Sequence, residues 1–162
     1  MLISIDTSVT VGLLDSRDHW HSAAISLQAA LIGSGFAPVY FDCVVTEAVS
    51  TLARRLRERR REIELPSLWN LLATALPEDT LTWVLPDVPR LYGQIMDLTR
   101  TSEGELNFND GLIALACRER HIEALASFDR DFDRLSWLKR VSTPEEVRVL
   151  LAVTNKPPEG QD

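Results

Sequence analysis

Four carboxylates of the 162-residue chain stand where chemistry is commonly built. Asp6 closes a short apolar run at Leu2–Ile5, and Asp129 closes another at 123–128. Asp110 opens one helix-like segment, and Glu47 falls in the first turn of another. If the apolar runs pair as a parallel sheet, strand ends and helix starts share one edge, and acids far apart in sequence converge there. Unscreened, they repel one another and their pKa values rise. A hard divalent cation such as Mg2+, held by oxygen ligands, resolves that conflict. It would also bring phosphoryl chemistry within reach, by polarising a phosphate oxygen and activating water. Singly, each acid has a plainer use: Asp6 and Asp129 as helix caps, Asp110 and Glu47 as acids that suit a helix dipole.

The elements that would position these acids alternate between two periods. Leu2–Ile5, 39–42, 81–85, 123–128 and 138–142 are short, apolar or β-branched runs of strand type. Between them lie stretches with helical spacing at 18–33, 45–61, 66–76, 87–101 and from 107 or 109 to 120. Asn107 or Asn109 can cap the helix that carries Asp110. Thr143-Pro144-Glu145-Glu146 is a helix start, with a cap, a proline in the first turn and acids behind it. The pattern predicts a three-layer α/β/α fold around a central, mostly parallel sheet. One domain over 1–152 is expected, followed by a mobile polar tail at 153–162.

Composition narrows the classes. Hydrophobic residues make up 45% and charged residues 25%, the balance of an ordinary globular domain rather than a disordered or fibrous chain. The N-terminus has neither a basic segment nor a cleavable apolar stretch, so no secretory signal is expected. Cys43 and Cys117 lack metal-ligand spacing and predict buried thiols in a reducing, cytoplasmic compartment. The net charge of −7 argues against binding nucleic acid through bulk electrostatics, although carboxylates around a metal lower the charge without forbidding such a substrate. Six arginines lie within 54–61. Arg54, Arg57, Arg60 and Arg61 are candidates for tracking phosphates, and a solvated helix end is the plainer account. His19 and His21 are two residues apart and cannot share a metal from one helix. Trp69, Trp83 and Trp137 are expected in the core.

Four segments in order, Met1-Leu2-Ile3-Ser4-Ile5-Asp6-Thr7-Ser8, Thr46-Glu47-Ala48, Phe108-Asn109-Asp110-Gly111-Leu112-Ile113-Ala114 and Ala126-Ser127-Phe128-Asp129-Arg130-Asp131-Phe132, resemble the PIN domain. More narrowly, they are similar to the VapC-type ribonuclease toxins, over residues 1 to about 150. The resemblance implies that Asp6, Glu47, Asp110 and Asp129 are an acidic quartet that binds Mg2+ or Mn2+ and supports RNA phosphodiester hydrolysis. Thr7, Ser8 and Ser127 would support the quartet by orienting a carboxylate or a water. Asp131 is an ambiguous neighbour of Asp129, and a surface acid before a short helical turn is its plainer reading. The resemblance further implies an RNA substrate, a small antitoxin partner and a homodimer. Gly111 departs from the family's usual alanine, which lowers helix propensity by up to ~1 kcal/mol.

Rival classes fit less well. A haloacid-dehalogenase-type phosphatase needs an Asp two residues beyond Asp6, where Ser8 stands. A receiver domain needs a lysine that neither Lys139 nor Lys156 supplies convincingly. A non-catalytic PIN-like binding module would be expected to have lost one of the four acids.

Overall fold

The computed structural model describes residues 1–154, so the expected tail at 153–162 lies outside the described residues except for its first two positions. Five strands, β1 (Leu2–Ile5), β2 (Ala37–Phe41), β3 (Leu81–Thr82), β4 (Ala124–Ala126) and β5 (Lys139–Val141), form one sheet in the order β3-β2-β1-β4-β5. Every pairing is parallel, with Leu2 opposite Ala37, Ser4 opposite Leu125 and Ala124 opposite Lys139. The helices are α1 (Thr7–Leu14), α2 (His21–Gly33), α3 (Asp42–Glu58), α4 (Leu65–Ala75), α5 (Val88–Thr101), α6 (Phe108–Glu119) and α7 (Pro144–Thr154).

Both sheet faces are covered, as a parallel sheet requires. On β4 the side chains alternate by single residues: Leu125 joins a core with α5 and α6, while Ala124 and Ala126 join Ile3, Ile5 and the α2 residues Leu27 and Leu31. A third cluster joins Leu52 and Leu56 of α3 to Leu68 and Leu72 of α4. Helix α6 is buried on every side from Asp110 to Cys117, so it is a core element rather than an amphipathic cover. Gly111 belongs to that packing. A Cβ there would stand 3.1 Å from Ile95 Cγ2, so the missing methyl lets α5 lie close to α6.

Several boundaries differ from the sequence expectation for identifiable reasons. Helix α3 begins at Asp42 rather than at 45, which moves Glu47 from the first turn into the second. It ends at Glu58 because Arg60 adopts φ 54°, while Arg60 N–H and Arg61 N–H bond back to Arg57 and Leu56 carbonyls at 3.0 and 2.7 Å. That is a Schellman closure with arginine where glycine is usual. Strand β3 stops at Thr82 instead of reaching 85. The Asp42 carboxylate takes the Val84 and Leu85 N–H groups at 2.8 and 3.1 Å, turning them away from the ladder. Trp83, expected in the core, is 53% exposed beside this short edge strand. Trp69 and Trp137 do pack against the cores. Asn107, not Asn109, caps α6, in a reciprocal box with Asp110. Thr143 and Glu146 form the equivalent box at α7. Cys43 and Cys117 are buried free thiols. No helix among the described residues is long and apolar enough to cross a membrane.

Candidate active site

The strand ends and helix starts meet in one cleft of about 190 Å³, and Asp6, Glu47, Asp110 and Asp129 all line it. Asp6 follows β1 and caps α1. Its Oδ2 accepts from Ser8 N at 3.2 Å, Ser8 Oγ at 2.7 Å and Ser127 Oγ at 2.8 Å. Burial pushes its pKa above the usual carboxylate range, and the hydrogen bonds from Ser8 and Ser127 pull against that shift. Asp129 follows β4 and caps a short 3-10 turn at Arg130–Arg134, with Oδ1 accepting Asp131 N–H at 2.9 Å.

Glu47 reaches the cleft from α3. Its Oε2 accepts from Thr7 Oγ1 at 2.9 Å and from Asn109 Nδ2 at 3.1 Å. Asp110 enters from the first turn of α6, where its Oδ2 accepts Asn107 N–H at 2.8 Å. Burial lifts the Asp110 carboxyl to about 7; the Asn107 N–H opposes the shift, and the charges of Asp6, Asp129 and Glu47 reinforce it. In Glu47, Asp110 and Asp129 the anchoring bonds fall on one oxygen, which leaves the other as the donor a ligand would meet.

The hydroxyls tie these acids together. Thr7 holds Glu47, and Ser8 holds Asp6 while its Oγ accepts Phe128 N–H at 3.0 Å. Ser127 Oγ donates to Asp6 and accepts Asp129 N–H at 3.0 Å. Asp131 serves Asp129 through its backbone; burial raises its own pKa, and the neighbouring Asp129 charge adds to the rise. Trp20 stacks on Phe128 at 4.7 Å between ring centroids, bracing the segment between Ser127 and Asp129.

Among the described residues no three His, Cys, Asp or Glu form a closed metal-ligand set as they stand. Mg2+ does not require one, because it binds through one or two carboxylates and keeps several waters and substrate phosphates. The hard oxygen donors of four carboxylates, one with its pKa raised by burial and further by the others' charge, fit such an ion by donor chemistry.

The arginine run divides. Arg54 lines the cleft, with its guanidinium 3.3 Å from Glu58. Arg57 and Arg60 are exposed. Arg61 turns inward instead, donating to Asp15 at 2.9 and 3.3 Å and to Glu64 at 2.6 and 2.9 Å, so its fork is already engaged. Sequence reasoning did not single out Thr51, Asn109 or Arg55 for the cleft. Asn109 was visible as a cap alternative, and only the fold shows that it faces Glu47. Arg55 carried no signal apart from the run.

A model of the PIN domain family matches residues 3–138. Among solved structures, the Mycobacterium tuberculosis toxin VapC20, which cleaves the sarcin-ricin loop, matches 85% of this chain and 97% of its own length, with a TM-score of 0.63 and 23% identity. That likeness establishes a shared fold. No curated protein matches the chain. With five parallel strands, four acids in one cleft and a family match over most of its length, the chain belongs to the PIN domain family.

Proposed function

We propose that this protein is a divalent-metal-dependent endoribonuclease that hydrolyses RNA phosphodiester bonds, and that it is the toxin of a VapBC-type pair. The observation that carries the nuclease reading is the convergence of Asp6, Glu47, Asp110 and Asp129 in one cleft, where Asp110 feels the charge of the other three. The four acids would hold Mg2+ or Mn2+, which would supply charge neutralisation and Lewis acidity at the scissile phosphate.

The chain's own residues do the positioning. Ser8 and Ser127 fix Asp6, while Thr7 and Asn109 fix Glu47, so these carboxylates need little rearrangement to receive a ligand. Burial, reinforced by the other acids' charge, strengthens the hold of Asp110 on a proton, which a bound cation would displace. Water adds to phosphorus and the bond to the 3′-oxygen breaks, leaving a 5′-phosphate and a 3′-hydroxyl with no covalent intermediate. Arg54 at the cleft wall, with Arg57 and Arg60 beyond it, would follow the RNA backbone. Arg61, engaged with Asp15 and Glu64, is left out of that face.

The toxin assignment rests on the PIN family match and on the fold shared with VapC20. It brings a small antitoxin partner and a homodimer into the proposal. Two buried free thiols suit a reducing, cytoplasmic compartment. The test is cleavage of mixed single-stranded RNA by the purified protein with Mg2+, with Mn2+ and with EDTA, beside Asp110→Asn prepared identically. Cutting that needs metal and disappears in the variant is the expected result. Cutting that survives either EDTA or Asp110→Asn overturns the proposal.

A further inference from the structure

The acidic cleft poses an electrostatic problem for a polyanionic substrate, and one side chain at its wall answers it. Glu47, Thr51 and Arg55 follow one another at intervals of four along α3 and line the same cleft, so a single helix face runs from acid to hydroxyl to cation. Arg54 is exposed and, among the described residues, pairs only within its own helix, with Glu58. Arg55 is different. Its side chain is 28% exposed, and Nη1 donates to the carboxylate of Asp18, which is 1% exposed in the segment between α1 and α2. Asp18 is itself fixed: its Oδ1 accepts Trp20 N–H at 2.8 Å. The guanidinium is thus held in place by a second element, and its remaining N–H donors are uncommitted to any other side chain among the described residues.

We infer that Arg55, oriented by Asp18, is a phosphate-binding residue that takes a backbone phosphate of the RNA beside the one being cleaved. The inference rests on the nuclease reading and adds a substrate subsite to it. Eight residues of helix separate Arg55 from Glu47, about 12 Å at 1.5 Å per residue, which sets the cation apart from the scissile position. Its planar fork matches phosphate geometry, and the buried anchor lowers the ordering cost on binding. Asp18 is a positioning residue acting through Arg55.

The test measures binding, so it is independent of cutting. In an Asp110→Asn parent, the affinity for a fluorescein-labelled single-stranded RNA oligonucleotide is followed by anisotropy as potassium chloride rises. Removing Arg55 alone would strand a buried Asp18, so the comparison variant is Arg55→Gln with Asp18→Asn. The slope of log affinity against log salt should flatten by about 0.7, the value for one phosphate contact on a single strand. Affinity should fall about tenfold. Arg55→Lys should restore the slope without the full affinity, and Asp18→Asn alone should weaken binding at an unchanged slope. An unchanged slope in a folded double variant overturns the subsite, and leaves the nuclease reading standing if the wild type cuts RNA. Absence of RNA binding by the Asp110→Asn parent overturns both.

Discussion

Ser127 Oγ donates to Asp6 at 2.8 Å and accepts the Asp129 N–H at 3.0 Å, so one buried hydroxyl couples acids from two ends of the chain. Ser127 is fully buried, and its loss leaves an Asp6 oxygen and an Asp129 N–H each short of a partner. Ser127→Ala should cost about 1–2 kcal/mol of stability. It should lower cleavage about 10- to 100-fold, the usual effect of removing a group that orients a metal ligand. Thermal denaturation and initial rates check the two effects separately.

Asp110 makes the stability of the metal-free protein depend on pH. Its folded pKa of about 7 lies above the ordinary carboxylate value, so the folded state binds the proton more tightly than the unfolded chain does. The stability tied to that proton is fully present below about pH 4 and is lost as pH rises through about 7. Asp110→Asn removes the dependence while its side-chain oxygen can still accept the Asn107 N–H. In EDTA at pH 8 the variant should melt at a higher temperature than the wild type, and below pH 4 the gain should vanish. Equal melting temperatures at pH 8 would mean that burial and the neighbouring acids do not raise the Asp110 pKa in the folded protein.

The acids were legible because local rules put them where the topology gathers them. Asp6 and Asp129 follow apolar strands, and Asp110 sits at the third position of a capped helix. Glu47 was harder to place, since its turn depended on where α3 began, and that is settled by Asp42 reaching across to Val84 and Leu85. Arg55 was hidden because its partner, Asp18, lies on another element. Arg61 looked like one more surface arginine. The left-handed Arg60 that turns it inward occupies a place where a glycine would have announced the turn. Partners from distant elements and unusual backbone at ordinary residues leave no periodic trace.

Arg61 should matter to stability and not to chemistry. It joins the end of α3 to Asp15, whose side chain is 1% exposed, and removing the guanidinium leaves that carboxylate buried without its cation. Arg61→Met should cost on the order of 2 kcal/mol, less than a fully enclosed pair because water reaches the Arg61 edge. The rate per folded molecule and the salt dependence of RNA binding should stay at wild-type values. A flattened salt dependence in this variant would return Arg61 to the RNA-binding face.

Gly111→Ala sets helix propensity against packing. Alanine favours the helix by up to about 1 kcal/mol, yet its Cβ would stand 3.1 Å from Ile95 Cγ2, and Ile95 is fully buried. Overpacking a core contact commonly costs about 1–3 kcal/mol, so the net change should be a loss. Gly111→Ala with Ile95→Leu, which removes the Cγ2 branch that faces the new methyl, should recover part of it. Chemical denaturation of the single and double variants measures the coupling, and additive effects would show that the two residues do not compete for space.

A cation that binds only the folded protein stabilises it by mass action. At a hundredfold excess over its dissociation constant the gain is about 2.7 kcal/mol. For a domain near this size, each kcal/mol moves the melting temperature by about 2–4 °C. Mn2+ should therefore raise the wild-type midpoint by several degrees, and EDTA should reverse the rise. The effect should shrink as pH falls below about 7, since Asp110 then keeps the proton a cation must displace. Glu47→Gln and Asp110→Asn each remove a carboxylate and should weaken the response, whereas Arg61→Met should lower the baseline and keep it. A midpoint indifferent to Mn2+ in the wild type would detach the metal from the four acids.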